Sequence, residues 1–197
     1  MNSVDAFRIL LLCVMAFGIG TRTYFELNAR RHGGPIGSYR EPRWYWAIAI
    51  TIMPLILAPV AAFVINPGWL AWSYLPAPLP LRWLGAALML AVLPGVVWAF
   101  RSLGANLTKT ATPRRNATLV THGPYRFVRH PLYAFAMAGW IGITLMLANW
   151  LVALGIVAVF LLISYRVPVE EAQLIERFGD AYRDRMRRTG RFLPRFS

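Results

Sequence analysis

Negative charge and thiols are scarce in this chain: of its 197 residues eight are Asp or Glu and one is Cys. The single cysteine, Cys13, lies inside an apolar run. No intramolecular disulfide and no cysteine-based zinc cluster can therefore form, and Cys13 reads as a small packing residue. There is no G-x-G-x-x-G or P-loop sequence, which argues against a Rossmann-type nucleotide site. No metal-ligand cluster, internal repeat or low-complexity segment is visible. Lysine is almost absent too, since twenty of the 21 basic residues are Arg.

What the chain has in quantity is apolar surface. Hydrophobic residues make up 57% of it and the mean hydropathy is +0.48, above the roughly 45–50% apolar content of soluble domains. The net charge of +13 would suggest nucleic acid in a soluble protein. Here the basic residues fall between apolar runs, the pattern by which positive loops set membrane topology. Nucleic acid is thereby set aside as a partner, and anionic membrane lipids are expected instead.

The apolar residues gather in five runs, over 4–20, 44–65, 81–100, 132–148 and 150–165. The expected fold is an all-α integral membrane protein of about five transmembrane helices, followed by a C-terminal amphipathic helix on the cytoplasmic side. It forms a single membrane domain over 1–197, with three helices in 1–100 and a motif region in 101–197. The first run lacks an A-x-A site after it, which disfavours a cleaved signal peptide. Trp44, Tyr45 and Trp46 open the second run as interfacial aromatics. Pro54, Pro59 and Pro94 lie inside runs and are tolerated where neighbours satisfy the freed carbonyls. The last two runs are separated only by Asn149 and form a tight hairpin, each short for a hydrocarbon core of ~30 Å.

Five, six and eight basic residues follow the first, third and fifth runs, and the other two connections carry none. All three basic segments are expected to face the cytoplasm, with the N-terminus outside; a bacterial inner membrane is the expected location. In the tail, Glu171, Leu174, Ile175, Phe178, Tyr182 and Met186 repeat at helical spacing, the pattern of an amphipathic helix.

Three segments carry candidate chemistry. The first runs through Thr118, Leu119 and Val120 to Gly123-Pro124-Tyr125. The second is Arg129-His130-Pro131-Leu132-Tyr133. The third is Arg166 with Glu170 and Glu171, continuing to Phe178-Gly179 and Tyr182. Arg166 and Glu170 directly follow a membrane helix, where ionisable groups are costly unless paired or facing a wet cavity. Four apart, they share a helical face, with Pro168 between them as a possible bend. They are either a snorkelling Arg with an ordinary partner or part of a site. His130, just before Pro131, is either an interfacial residue of a helix-entry turn or a ligand contact.

The order Gly123-Pro124-Tyr125, Arg129-His130-Pro131-Leu132-Tyr133, Arg166…Glu170-Glu171…Leu174…Phe178-Gly179…Tyr182 and Leu193-Pro194 resembles the isoprenylcysteine carboxyl methyltransferase family, together with related phospholipid methyltransferases. The likeness covers roughly 103–194; the first three helices resemble the family only in being hydrophobic. It implies a membrane enzyme that uses S-adenosylmethionine and methylates a lipid-like or amphipathic acceptor at the cytoplasmic face. It further implies cofactor contacts at Ala117, Thr118, Leu119, Val120, Tyr125, His130, Pro131, Leu132, Tyr133 and Glu170. Arg166 would face the substrate and, with Glu170, form the catalytic pair. The chain departs from the family at Phe135, where Gly is common, a change that bears on helix packing or the acceptor entrance.

The implied chemistry suits these residue types. An in-line methyl transfer depends on placing the nucleophile against the methyl carbon more than on acid–base help. A guanidinium can hold a carboxylate acceptor in a two-pronged fork. Two alternatives stay open: an NADPH-dependent membrane enzyme of the sterol-reductase type, and a non-enzymatic membrane scaffold.

Overall fold

The structure, a computed structural model, describes residues 3–36, 42–108 and 112–195. Arg40, Lys109 and the C-terminal Ser197, which belong to the basic segments, lie outside the described residues. Among the described residues seven α-helices follow one another: α1 (Ser3–His32), α2 (Arg43–Ile65), α3 (Leu79–Ala91), α4 (Leu93–Leu103), α5 (Pro131–Leu147), α6 (Trp150–Phe178) and α7 (Asp180–Arg188). Among the described residues there is no strand, only three isolated bridges.

Helix length follows the apolar runs, and the ends follow local chemistry. Asp5 in the first turn of α1 and Arg30, Arg31 and His32 in its last complement the helix dipole. Pro94 has no N–H to donate, and α3 gives way to α4 just before it. Together they make an apolar stretch over Leu79–Asn106. Ala148 ends α5 with a left-handed φ of 52°, a helix-stop conformation usually left to Gly. Asn149 caps α6, its Oδ1 accepting from Leu151 N at 3.0 Å and Val152 N at 3.3 Å.

Among the described residues four helices are long and apolar enough to cross a membrane: Ser3–His32, Arg43–Ile65, Leu79–Asn106 and Trp150–Phe178. The fourth expected crossing is α5, with 17 residues. It measures about 26 Å at 1.5 Å per residue, short of a core of ~30 Å, so the structure supports four spans and not the full count of five. The tail also differs from expectation. The amphipathic pattern does not begin a new helix at 167: α6 runs unbroken through Pro168 to Phe178. It stops at Gly179 (φ 56°, ψ −130°), and α7 continues from there.

The chain forms two compact units. The first comprises Met1–Ile19, Arg43–Leu93 and Ala136–Leu162, the second Gly20–Pro42, Pro94–Phe135 and Ile163–Ser197. The first is apolar, its core made by Phe7, Leu11, Phe63, Met89, Met146 and Val152 among others. α3 and α5 approach closely through glycine. A Cβ on Gly85 would stand 2.5 Å from Met146 N and 2.6 Å from Gly142 O, so only Gly permits the crossing. Two arginines cap helix C-termini here: Arg8 Nε donates to Phe63 O at 3.0 Å and Arg82 Nε to Met146 O at 2.8 Å. Buried Asn149 also donates to buried Ser73 Oγ at 2.6 Å.

The second unit holds all but three of the basic residues, the exceptions being Arg8, Arg43 and Arg82. Its loops are tied by backbone-directed arginine. Buried Arg114 donates to Gly34 O at 2.6 Å and Leu107 O at 3.1 Å. Gly33 has no room for a Cβ beside Ala105 O and the Arg114 side chain. Phe135 lays its ring on Gly95, where a Cβ would meet ring carbons at 2.6–2.8 Å.

Candidate active site

All the expected site residues fall within the second unit. Pro131 is the first residue of α5 and is fully buried, with its fixed φ suited to a helix start. His130 precedes it, and Tyr133 lies in the first turn. α6 supplies Arg166 and Glu170, which its continuity through Pro168 leaves one turn apart on the same face.

These elements converge on Glu170. Tyr133 OH donates to Glu170 Oε2 at 3.0 Å. His130 Nδ1 stands 3.8 Å from Glu170 Oε1. The imidazole stacks against the Tyr133 ring at 5.8 Å between centroids, with Phe192 at 6.2 Å. His130 is 5% exposed. Its Nε2 lies 3.4 Å from Glu171 Oε1 but off the line of a hydrogen bond.

Tyr125 is buried in a 3-10 turn over Gly123–Arg126, and Arg185 donates to its carbonyl. That turn needs Gly123, whose φ is +61° and whose Cβ would collide with Ser102 Oγ. Burial pushes the Tyr125 phenol well above the ordinary tyrosine range, and the nearby Glu170 charge adds to this. Tyr182 is shifted the same way, first by burial and then by Glu171. Its buried hydroxyl has no hydrogen-bond partner.

Ala117, Thr118, Leu119 and Val120 lie in a loop outside the helices. The described hydrogen bonds of Thr118 run to Asn106, whose Oδ1 accepts from Thr118 N at 3.0 Å and whose Nδ2 donates to Thr118 Oγ1 at 3.4 Å. Leu132 and Arg166 are half-buried.

A second carboxylate, named in the motif but given no role in the expected site, organises the surroundings. Glu171 is 2% exposed. Its Oε1 accepts from Arg129 Nε at 2.7 Å, and its Oε2 from Arg191 Nε at 3.1 Å and Nη2 at 2.9 Å. Its signal was the helical phase: Glu171 shares the apolar stripe of Leu174, Ile175 and Phe178, where a charge must be paired. Among the described residues, no group of three or more His, Cys, Asp or Glu gathers to hold a metal ion.

The donor set fits a cationic, hydroxyl-rich cofactor. The Glu170 side chain keeps 25% of its surface exposed and retains acceptor capacity beyond the Tyr133 bond. Aromatic faces beside it suit a positive charge.

A sequence profile of the phospholipid methyltransferase family matches residues 81–181, just over half of the chain. The chain belongs to the phospholipid methyltransferase family. The match takes in every motif segment that converges on Glu170. The nickel-cobalt-cadmium resistance protein NccN of Alcaligenes xylosoxydans xylosoxydans is 34% identical over 116 residues, 58% of this chain and 54% of that protein. The protein-S-isoprenylcysteine O-methyltransferase of Dictyostelium discoideum is 32% identical over 124 residues, 59% of this chain and 51% of that one. The chain thus spans about half the length of these relatives. The fold is that of the eukaryotic intramembrane Ras methyltransferase ICMT (isoprenylcysteine carboxyl methyltransferase). That solved structure superposes with a TM-score of 0.53 at 21% identity over 79% of this chain and 54% of that one. With its apolar helices, this family member is an integral membrane protein.

Proposed function

We propose that the chain transfers a methyl group from S-adenosylmethionine to a lipid-borne or amphipathic acceptor, of the isoprenylcysteine-carboxylate kind, at the cytoplasmic face of a bacterial inner membrane. The observation that carries this is the meeting of Tyr133, His130 and Glu170 within the stretch that defines the family. When bound, the cofactor supplies an electrophilic methyl carbon on a sulfonium.

This chain's residues bind and orient. Glu170, oriented by Tyr133 OH, accepts hydrogen bonds from ribose hydroxyls or an ammonium group. His130, Pro131, Leu132, Tyr133 and Tyr125 wall the pocket, and Ala117, Thr118, Leu119 and Val120 form its approach. Arg166, one turn before Glu170, holds the acceptor. A carboxylate is already ionised at neutral pH, so a guanidinium fork that fixes its angle suffices and no general base is required.

The membrane-embedded acceptor enters sideways and the cofactor from the cytoplasm, where the basic segments and the tail lie. Thermal shift of the detergent-solubilised protein tests the reading. S-adenosylhomocysteine should stabilise it and NADPH should not. Stabilisation by NADPH alone would favour the reductase alternative, and by neither the scaffold.

A further inference from the structure

The proposed pocket leaves Glu171 without a part in methyl transfer, yet this carboxylate ties together two distant segments. Its two oxygens are used differently. Oε1 takes Arg129, whose side chain is 9% exposed; Oε2 takes Arg191, whose side chain is 45% exposed. Arg129 stands beside His130 at the entry of α5, whereas Arg191 lies in the segment after α7. That segment is zipped onto the first by its backbone: Arg129 N donates to Gly190 O at 2.9 Å and His130 N to Arg191 O at 3.0 Å. Phe192 follows and lies against the His130 ring. His130 is buried beneath it.

The strap is tied on both sides, by Arg129 before it and by Arg195 after it, whose Nη1 donates to Arg187 O at 3.1 Å. Arg129 Nη1 donates to Thr189 O, and to Met186 O at 3.3 Å, which holds the end of α7. Beyond it, Gly190 makes a turn so compact that a Cβ would collide with Leu193 O. The strap 190–192 is therefore short, and among its described attachments (two backbone hydrogen bonds, Phe192 on His130 and the Arg191 pair) the Arg191 pair is the charged one.

Resting on the cofactor reading above, we propose that Arg191–Glu171 is a latch that closes this strap over His130, and that its release governs exchange of the cofactor. Arg191 keeps 45% of its side chain exposed against 3% for Glu171, so salt reaches the pair from the arginine's side and weakens it. When Arg191 leaves, Glu171 keeps Arg129 and no charge is stranded in the interior. The converse does not hold for the carboxylate: losing Glu171 leaves the buried Arg129 guanidinium without its counter-charge. Arg191 is thus a positioning residue, acting through the strap and not on the reacting atoms.

The test uses the full chain in lipid nanodiscs loaded with radiolabelled S-adenosylhomocysteine and chased with unlabelled compound. Arg191→Ala should speed release by about tenfold, a change of about 1.4 kcal/mol. Arg191→Lys should recover part of the slow release. Raising salt from about 0.05 to 0.5 M should speed release from the wild type and leave Arg191→Ala unaffected. A purely structural role would lower the melting temperature without removing that salt dependence, and would overturn the latch. So would wild-type release rates in Arg191→Ala. Failure of the wild type to bind S-adenosylhomocysteine would overturn the cofactor reading and the gate with it, an outcome distinct from unchanged release by a protein that binds.

Discussion

Glu171 and Glu170 are neighbours with opposite circumstances. Glu171 is almost fully buried between Arg129 and Arg191; Glu170 is part-exposed and meets Tyr133 OH. Removing one partner of a buried pair strands the other, at about 3–5 kcal/mol. Glu171→Gln, which strands the buried Arg129, should therefore lower stability by about that much, while Arg191→Ala costs well under half as much because Arg129 remains. Thermal unfolding in detergent distinguishes them, and equal losses would contradict the division of roles. Glu170→Gln should leave folding nearly intact but weaken S-adenosylhomocysteine by about 1.5–3 kcal/mol, the worth of a hydrogen bond to a charged group. Calorimetry reads this directly, and unchanged affinity would remove Glu170 from the site. The presence of Glu170 and Tyr133 in the motif was legible in the sequence. The Arg191 partner of Glu171 was not, because a contact across 20 residues, made beyond the end of the periodic stretch, leaves no local pattern.

The helices show how far a local pattern reaches. Five apolar runs gave the positions of α1, α2, α3 with α4, α5 and α6, since uninterrupted hydrophobicity of that length is hard to place anywhere but in a membrane. Their ends were less legible. Pro168 reads as a bend by local rules, yet α6 passes through it, with Val167 and Glu171 both buried on one face. Tertiary packing outweighs the lost N–H there. Conversely, Pro94 does mark a break, between α3 and α4. Phe135, where Gly is common in the family, is accommodated because Gly95 receives its ring. At the α3–α5 crossing a side chain has no space at all, so Gly85→Leu should destabilise by about 1–3 kcal/mol or more, and Gly142→Leu likewise. Wild-type melting temperatures for both would contradict the close approach seen between Gly85 and Gly142.

At the scale of the whole molecule, charge sorts the chain. One compact unit is apolar and the other collects nearly all the arginine, as expected when every basic segment faces one side of a bilayer. We propose that α5 crosses as a fifth span, so that tags at Thr112 and after Ser197 should be protected by the cytoplasm and a tag at Pro78 exposed outside. Pro78 and the C-terminus on the same side would defeat the five-crossing topology. Across one membrane face, the account requires that Glu170 serve the cofactor and Arg166 the acceptor. The most direct measurement is transfer of a radiolabelled methyl group from S-adenosylmethionine into the lipid-extractable fraction of membranes carrying the chain. The account predicts labelling by the wild type, near-complete loss in Glu170→Gln, and loss in Arg166→Lys despite retained cofactor affinity, because Lys keeps the charge but not the fork. No labelled acceptor with the wild type, or equal labelling by all three proteins, would contradict it.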